Sequence, residues 1–310
     1  MMPRASRVIA SAVAGGALAR ALNITPSCSG MNGASDTSYT LQSKTKLSPD
    51  AWLLRFSLPP GRPILGEDPL IPTCVKVVHP HGTDKAGSPK LLEKSYSPVS
   101  NPARQGEFEL LVKQYAPRPG GGVGAYICGL EVGESMAATV KKKRKMHGSA
   151  TVVQRWEQIG LVGGGTGVAP LIQIARTVLE SPQDRTRVRF LSINRHEADI
   201  LMRNELDELA AAHPGRFEVN YSLTAPPNGW AGYSGRGSVE MIKGALPPPA
   251  GGDGSTMVLV CGTDGFVETW GGPVARGPRK ADGSKGAKVQ GPLLGLLADA
   301  GFKPSEVFKY

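Results

Sequence analysis

The clearest chemical signal in the sequence is a glycine-rich stretch. Residues 161–170 read Leu-Val-Gly-Gly-Gly-Thr-Gly-Val-Ala-Pro, so the glycines follow an apolar segment and lead to Pro170. Glycine lets a backbone approach a ligand closely, and N–H groups at the start of a helix can bind a pyrophosphate. No Gly-Lys-Ser/Thr of a P-loop follows, and Val168 replaces the third glycine of a G-x-G-x-x-G fingerprint. The stretch predicts a dinucleotide site, with a turn needed only for packing as the alternative.

Two shorter segments could place reactive side chains beside that turn. Val260-Cys261-Gly262 ends an apolar run, and a thiol there would lie next to a ligand held by the glycines. Lys94-Ser95-Tyr96-Ser97-Pro98 offers an aromatic ring for a planar ligand, with an ammonium and a hydroxyl for phosphate. The alternatives are a small buried cysteine and a strand that runs into a proline turn.

The elements that must position these residues have two different patterns, of which the first covers about residues 44–148. Its apolar segments are short and separated by Gly and Pro, and they predict strands over residues 52–58, 73–78, 107–115 and 135–140. Apolar and polar residues alternate within 108–113, and no segment keeps a helical period for three turns. Several short strands at this spacing favour an antiparallel β-barrel or sandwich.

After Gln154 the pattern changes to alternating strands and helices. The predicted strands are 158–162, 187–194, 217–223, 256–261 and 307–310, and the predicted helices are 170–179, 199–213, 239–246 and 293–300. This order implies an α/β domain with a parallel sheet, which binds its ligand at the carboxyl ends of the strands. The glycine-rich basic segment 271–291 fits neither pattern, and we expect an unstructured functional or flexible loop there.

The charge of the chain is positive but unevenly placed. The 310 residues include 36 Lys and Arg against 26 Asp and Glu, a net charge of +10. Much of the excess lies in Lys141-Lys142-Lys143-Arg144-Lys145 and in Arg4, Arg7 and Arg20. No periodic basic helix and no alternation of basic and aromatic residues accompanies it, so we expect no nucleic-acid binding.

Metal and hydrolase sites are not expected. The four cysteines lie far apart without a C-x-x-C pair, which argues against a disulfide framework and a structural zinc site. His79 and His81 form an H-x-H pair, for which we expect a solvated loop because no third ligand is evident. Neither G-x-S-x-G nor H-E-x-x-H occurs, so hydrolase chemistry has no support.

The N-terminal segment has the composition of a targeting peptide. Residues 1–34 contain no acidic residue, carry three arginines and include a mildly apolar run. This composition favours a mitochondrial transit peptide, with a short membrane anchor or a disordered tail as alternatives. The predicted organisation is therefore a targeting segment over 1–34, a β-barrel domain over 35–150 and an α/β domain over 151–310.

Taken in this order, the three segments and the change of pattern between them resemble the ferredoxin–NADP reductase superfamily. Within it, residues 45–310 are most similar to the NADH–cytochrome b5 reductases of mitochondrial type. Further matches are residues 194–201 with N-x-x-x-x-D-I-L, residues 221–230 with Y-T-L-D-x-P-P-x-x-W, the Leu-Pro-Pro-Pro at 246–249 and the aromatic carboxyl end at 307–310.

The resemblance implies an FAD-binding antiparallel barrel and an NAD(P)H-binding parallel sheet. Hydride would pass from the nicotinamide to the flavin, and single electrons would then pass to cytochrome b5 or a similar haem acceptor. It assigns catalytic positions to Tyr96, Ser97 and Cys261. It assigns cofactor contacts to Lys94, Tyr96, Ser97, Pro98, Lys113, Tyr115, Gly121, Gly122, Val123, Gly124, Gly165, Thr166, Gly167, Pro170, Thr224, Cys261, Gly262 and Tyr310.

Three departures from the family pattern concern the flavin. Lys94 stands where the family usually has arginine and lacks the bidentate fork of that side chain. Residues 120–124 read Gly-Gly-Gly-Val-Gly in place of G-G-K-M-S, which removes a cation and a hydroxyl near the FAD phosphates. The basic run 141–145 replaces a Gly-Pro. It could compensate for the lost cation, bind an acidic partner or an anionic mitochondrial membrane, or be a solvated face.

A fourth departure concerns the choice of nucleotide. Thr224 stands where NADH-preferring members carry an aspartate that repels a 2′-phosphate, and Arg195 is expected nearby. Without that repulsion NADPH is possible, although NADH stays the expected cofactor. The departures together also leave an alternative function, a degenerate reductase fold that serves as an accessory subunit of a mitochondrial membrane complex.

Overall fold

A computed structural model of the chain describes residues 37–83, 87, 89–115, 122–141, 146–279, 286 and 288–310. The predictions for residues 1–34, for Gly121 and for residues 142–145 lie outside this part of the chain. Among the described residues, no helix is both long and apolar enough to cross a membrane.

The first half of the chain forms a six-stranded antiparallel sheet with one helix. The strands are β1 (Thr37–Ser48), β2 (Ala51–Ser57), β3 (Val75–Thr83), β4 (Pro89–Tyr96), β5 (Glu107–Lys113) and β6 (Ser135–Val140), and the helix is α1 (Val123–Gly129). Their order is β4-β3-β6-β1-β2-β5. A bridge between Pro98 and Leu110 links the two outer strands, so the sheet curls into a barrel.

The barrel is held together by a core of aromatic and aliphatic side chains. Phe108 lies 5.2 Å from the ring of Tyr39 and 5.6 Å from that of Phe56, and all three rings are buried. Helix α1 adds the buried Ile127 and Cys128 to this core. Helix α1 was not predicted from the sequence, because glycine-rich segments disfavour helices and this short helix is stabilised by its buried face.

The second half forms a parallel sheet with helices. Its strands are β7 (Gln158–Gly164), β8 (Arg187–Asn194), β9 (Phe217–Leu223), β10 (Tyr233–Ser234), β11 (Thr256–Cys261) and, at the end of the chain, β14 (Val307–Lys309). The sheet order is β10-β9-β8-β7-β11-β14. The helices are α2 (Val168–Leu179), α3 (Arg203–Ala212), α4 (Val239–Ala245), α5 (Asp264–Gly271) and α6 (Leu296–Asp299). The predicted fold class, an antiparallel barrel followed by a parallel α/β domain, is confirmed.

Three local predictions were wrong. The helix expected over 199–213 begins only at Arg203, because Met202 adopts a left-handed backbone conformation that interrupts it. The segment 271–291 is not structureless, since β12 (Ala275–Arg276) pairs with β13 (Lys288–Val289). His79 and His81 lie on β3 rather than in a loop, and the ring of His79 stacks on Tyr126 at 4.0 Å.

The barrel and the parallel sheet are joined by buried contacts. Residues of both halves, such as Leu111 and Leu171, belong to one hydrophobic cluster. Hydrogen bonds also cross the boundary, among them those from Arg176 Nη1 to Val99 O at 2.5 Å and from Thr73 N to Gln173 Oε1 at 2.9 Å. These contacts hold the carboxyl ends of β7 and β11 against the open end of the barrel.

Candidate active site

A cavity of about 420 Å³ lies where the open end of the barrel meets the carboxyl ends of the parallel strands. Its size is typical of a small-molecule site. The lining residues are Cys74, Lys94, Ser95, Tyr96, Ser97, Leu111, Lys113, Tyr115, Lys141, Thr166, Ala169, Pro170, Cys261 and Tyr310. The set contains three lysines and no acidic side chain, so the cavity suits an anionic ligand with a large apolar body.

The barrel side of the cavity is built around Tyr96 at the end of β4. The ammonium of Lys94 lies 5.4 Å from the ring centroid of Tyr96 and 5.6 Å from that of Tyr115. Lys113 Nζ forms an ion pair with Asp50 at 2.9 Å. Because cation–π contacts orient an ammonium without neutralising it, Lys94 keeps its charge available to a ligand phosphate.

The hydroxyl of Tyr96 indicates that a ligand binds at this wall of the cavity. It is buried and has no hydrogen-bond partner among the residues that the structure describes. Burial raises the pKa of the phenol, so the group stays a protonated donor. A Cβ at Gly124 would lie 3.2 Å from Lys113 O and 3.5 Å from Tyr96 Oη, so only glycine leaves the space between α1 and the hydroxyl open. A buried donor without a partner is costly, and a bound ligand would satisfy it.

The opposite wall is the glycine turn after β7. Gly165 has a φ of +53°, and no atom lies within 4 Å of the position a Cβ would take. At Gly167 a Cβ would lie 2.1 Å from Cys261 O, so the turn and the end of β11 touch backbone to backbone. Close packing alone is therefore enough to require glycine at position 167. The open space at Gly165, in contrast, is what a ligand site requires.

The end of the chain completes the cavity. Tyr310 N donates to Val260 O at 2.9 Å, which places the terminal ring beside Cys261. The rings of Phe308 and Tyr310 meet edge to face at 5.6 Å. Cys261 and Tyr310 thus share the wall that faces the barrel.

Nine of the predicted site residues meet in this cavity. They are Lys94, Tyr96, Ser97, Lys113, Tyr115, Thr166, Pro170, Cys261 and Tyr310. Pro98 bridges to Leu110 instead, and Thr224 is exposed beyond the cavity at the end of β9. Gly122, Val123 and Gly124 begin α1, and a Cβ at Gly262 would lie 2.6 Å from the Phe266 ring.

Sequence reasoning missed Cys74 and the inward position of Lys141. Lys141 N donates to Cys74 O at 2.8 Å, and both residues line the cavity. No sequence pattern marks Cys74, since it is brought to the site by the pairing of β3 with β4. The basic run, in contrast, was a visible signal, and its first residue lies at the cavity.

Comparison with known protein families identifies both halves of the chain. The family described as "Oxidoreductase FAD-binding domain" matches residues 38–141, and "Oxidoreductase NAD-binding domain" matches residues 161–270. NADH-cytochrome b5 reductase 2 of Yarrowia lipolytica is 32% identical over 87% of this chain and 84% of its own length. The human NADH-cytochrome b5 reductase 2 is 33% identical over 73% of this chain and 84% of its own length.

The chain belongs to the NADH-cytochrome b5 reductase family. Its fold agrees with that of the cytochrome b5 reductase domain of Ulva prolifera nitrate reductase, with a TM-score of 0.68 and 26% identity. That match covers 89% of this chain and 97% of the other. The protein is therefore an NADH-dependent flavoprotein reductase of the ferredoxin–NADP reductase superfamily, with FAD and NADH as cofactors. The relatives compared are named as reductases, so the accessory-subunit alternative gains no support.

The residues present fit FAD despite the departures from the family pattern. The hydroxyl of Tyr96 supplies a buried donor without a partner among the described residues, and Lys94, Lys113 and Lys141 supply positive charge with no acidic side chain in the lining. The lysine of the usual G-G-K-M-S is thus absent, but the positive charge at the site is retained.

The arrangement explains what the protein contributes to hydride transfer. Flavin, when bound, accepts a hydride from NADH and releases electrons singly. The protein would hold that ring at Tyr96 and Ser97, and would hold the dinucleotide pyrophosphate at Gly165–Gly167, where the N-terminus of α2 has no side-chain cap. Cys261 and Tyr310 would then close the space in which the two rings meet and would exclude water.

Removal of the Tyr96 hydroxyl tests the fit directly. We expect Tyr96→Phe to raise the dissociation constant of FAD about fivefold, because the net value of one buried hydrogen bond is about 1 kcal/mol. The melting temperature of the apoprotein should not fall, since the hydroxyl has no partner to lose. Titration of the apoprotein with FAD, followed by flavin fluorescence, measures the first effect. Tyr126→Phe is the matched control, because that hydroxyl bonds Ser135 O outside the cavity. Equal FAD affinity in the two variants would refute the assignment.

Proposed function

We propose that the protein passes electrons singly from NADH, through FAD, to a small acidic haem protein, with cytochrome b5 as the first candidate. The names of the relatives from Yarrowia lipolytica and human support this acceptor class. The net charge of +10 favours an acidic partner in general, because long-range attraction steers oppositely charged proteins together.

The observation that carries the proposal is the charge at the cavity. Lys94, Lys113 and Lys141 lie around its barrel side, and the side chain of Lys113 is 38% exposed beside Asp50. An acceptor that brings carboxylates to this rim would place its haem edge close to the flavin. Charges at the rim of such an interface act mainly on the association rate.

Stopped-flow mixing of the NADH-reduced protein with oxidised cytochrome b5 tests the proposal. We expect the second-order rate constant to fall roughly tenfold between about 50 and 500 mM salt, because salt screens the attraction. Lys141→Glu should lower it severalfold at low salt. Lys243→Glu makes the same change of net charge on α4 away from the cavity and should have little effect. Rapid flavin reduction by NADH with no electron transfer to cytochrome b5 would refute this acceptor.

We also propose that the protein acts in mitochondria. The acid-free, arginine-bearing composition of residues 1–34 supports this location. A reporter fused to residues 1–34 should be imported and processed by isolated mitochondria, and a reporter that stays outside would refute the proposal.

A further inference from the structure

A buried lysine next to the end of the chain has no role in the site described so far. Lys309, on β14, is only 3% exposed. Its ammonium donates to three backbone carbonyls, those of Gly271 at 3.1 Å, Pro273 at 3.0 Å and Pro292 at 2.7 Å. An ammonium has three N–H donors, so the three acceptors satisfy it fully. Burial lowers the pKa of the group, and no salt bridge joins it to a carboxylate in the described part of the chain.

The three acceptors lie at the two ends of one segment. Gly271 ends α5 and Pro273 follows it, whereas Pro292 precedes α6. The ammonium therefore closes the base of the glycine-rich segment 272–292, which contains the β12–β13 pair. A buried charge with unsatisfied donors would be very costly, so the three carbonyls and the ammonium require one another.

A second contact ties the same segment to the backbone of β14. The side chain of Gln290 accepts a hydrogen bond from Lys309 N at 2.7 Å and donates to Lys309 O at 3.1 Å. β14 is the outermost strand of its sheet, so these are backbone groups that an additional strand would otherwise pair. The side-chain amide of Gln290 thus makes the two hydrogen bonds that a neighbouring strand would make with the backbone of Lys309.

The residue held in this way directly precedes a residue of the active site. Tyr310 lines the cavity together with Cys261 and Thr166, and its N–H bonds Val260 O on β11. Lys309 is consequently fixed by the segment 272–292 on one side and by β11 on the other. The rotation of the peptide that carries Tyr310 is restricted from both sides.

We propose that Lys309 and Gln290 are positioning residues, which hold the ring of Tyr310 in the wall of the cavity by tying the segment 272–292 to β14. The segment 272–292 would then fix the position of β14, and with it the side of the cavity that receives the nicotinamide. This inference rests on the NADH-dependent activity of the family and does not depend on the natural electron acceptor.

A double-mutant cycle separates positioning from general stability. The variants are Gln290→Leu, Lys309→Met and Tyr310→Ser, alone and in pairs with Tyr310→Ser. Each is assayed for the KM of NADH with ferricyanide as acceptor, and for the dissociation constant of NAD⁺ by protein fluorescence. We expect Gln290→Leu and Lys309→Met each to raise both constants severalfold, as Tyr310→Ser does. In the Tyr310→Ser background neither should add a further change, because residues that act through one ring are not additive.

Two results would overturn the proposal. One is that the effects multiply in the paired variants, which would show that Lys309 and Gln290 act independently of Tyr310. The other is a lower melting temperature with unchanged NADH and NAD⁺ constants, which is the signature of a merely structural lysine. Gln290→Leu keeps the buried ammonium and its three carbonyls, so the cycle can be read even where Lys309→Met does not fold. Lys243→Met, on the exposed side of α4, should leave both nucleotide constants at their wild-type values.

Discussion

Gly167→Ala is expected to lower kcat/KM for NADH by at least a hundredfold and to reduce the melting temperature by roughly 10 °C. The added Cβ would lie 2.1 Å from Cys261 O and 2.9 Å from Gly262 N, which are backbone atoms that cannot rotate away. The end of β7 would have to move away from the end of β11 by an ångström or more. Overpacking of this kind costs about 3 kcal/mol, and it misplaces two parts of the cavity wall together.

The backbone conformation of Gly167 makes the interpretation simple. Its φ of −61° and ψ of −15° suit alanine, so the entire effect comes from lack of space. Gly129→Ala, where no atom lies within 4 Å of the new Cβ, is the control for the added methyl group. Thermal melting followed by circular dichroism gives the stability, and anaerobic stopped-flow bleaching of the flavin gives the reduction rate. A Gly167→Ala protein with wild-type values of both would show that the two strand ends are not in contact in solution.

The sequence predicted several parallel strands with their observed bounds. Residues 187–194, 217–223 and 256–261 are strands as expected, because apolar β-formers there are bounded by charged residues, glycine or proline. In these segments the intrinsic strand preference of the residues and their burial in the sheet favour the same structure. The interrupted helix at Met202 shows the opposite case, since the apolar period continues through 200–209 while the backbone turns at one residue.

The active site could be predicted only where its residues belong to a local pattern. The glycine turn at 165–167 and Cys261 stand at the ends of parallel strands that the sequence reveals, so their meeting at one edge follows from the topology. Cys74 and Lys141 reach the cavity through the pairing of β3 with β4 and β6, which no short segment encodes.

The glycine-rich segment illustrates the same limit at longer range. Its composition predicts a loop, and nothing within it indicates that the segment packs against the last strand. The packing depends on the ammonium of Lys309, which is separated by 38 residues from Gly271 and by 17 residues from Pro292. A lysine would ordinarily be expected at the surface, and only the folded chain brings three carbonyls around this one.

Thr224→Asp is expected to shift the ratio of kcat/KM for NADPH to that for NADH downward by about a hundredfold. Three adjacent parallel strands end side by side here, since Thr224 N donates to Asn194 O at 3.0 Å and Gly235 N donates to Leu223 O at 2.9 Å. Arg195 and Arg236 therefore flank Thr224, and all three residues are exposed. A hydroxyl can donate to the 2′-phosphate of NADPH, and arginines on the neighbouring strands can pair with it, so we expect the wild-type protein to oxidise both nucleotides.

The size of the effect follows from the charges. A carboxylate about 4 Å from a doubly charged phosphate is repelled by several kcal/mol at intermediate dielectric, and by less where water screens the pair. The nearby Glu197 does not supply this repulsion in the wild-type protein, because it pairs with Arg203 at 2.6 Å. Thr224→Asn, which is nearly isosteric with aspartate but uncharged, should keep NADPH activity, whereas Arg195→Ala should weaken NADPH binding and spare NADH. Initial rates with each nucleotide at low and high salt distinguish these cases. An equal loss of both activities in Thr224→Asp would place the 2′-position of the ribose elsewhere. Charge repulsion weakens only the binding of NADPH, whereas a steric or structural effect weakens the binding of both nucleotides.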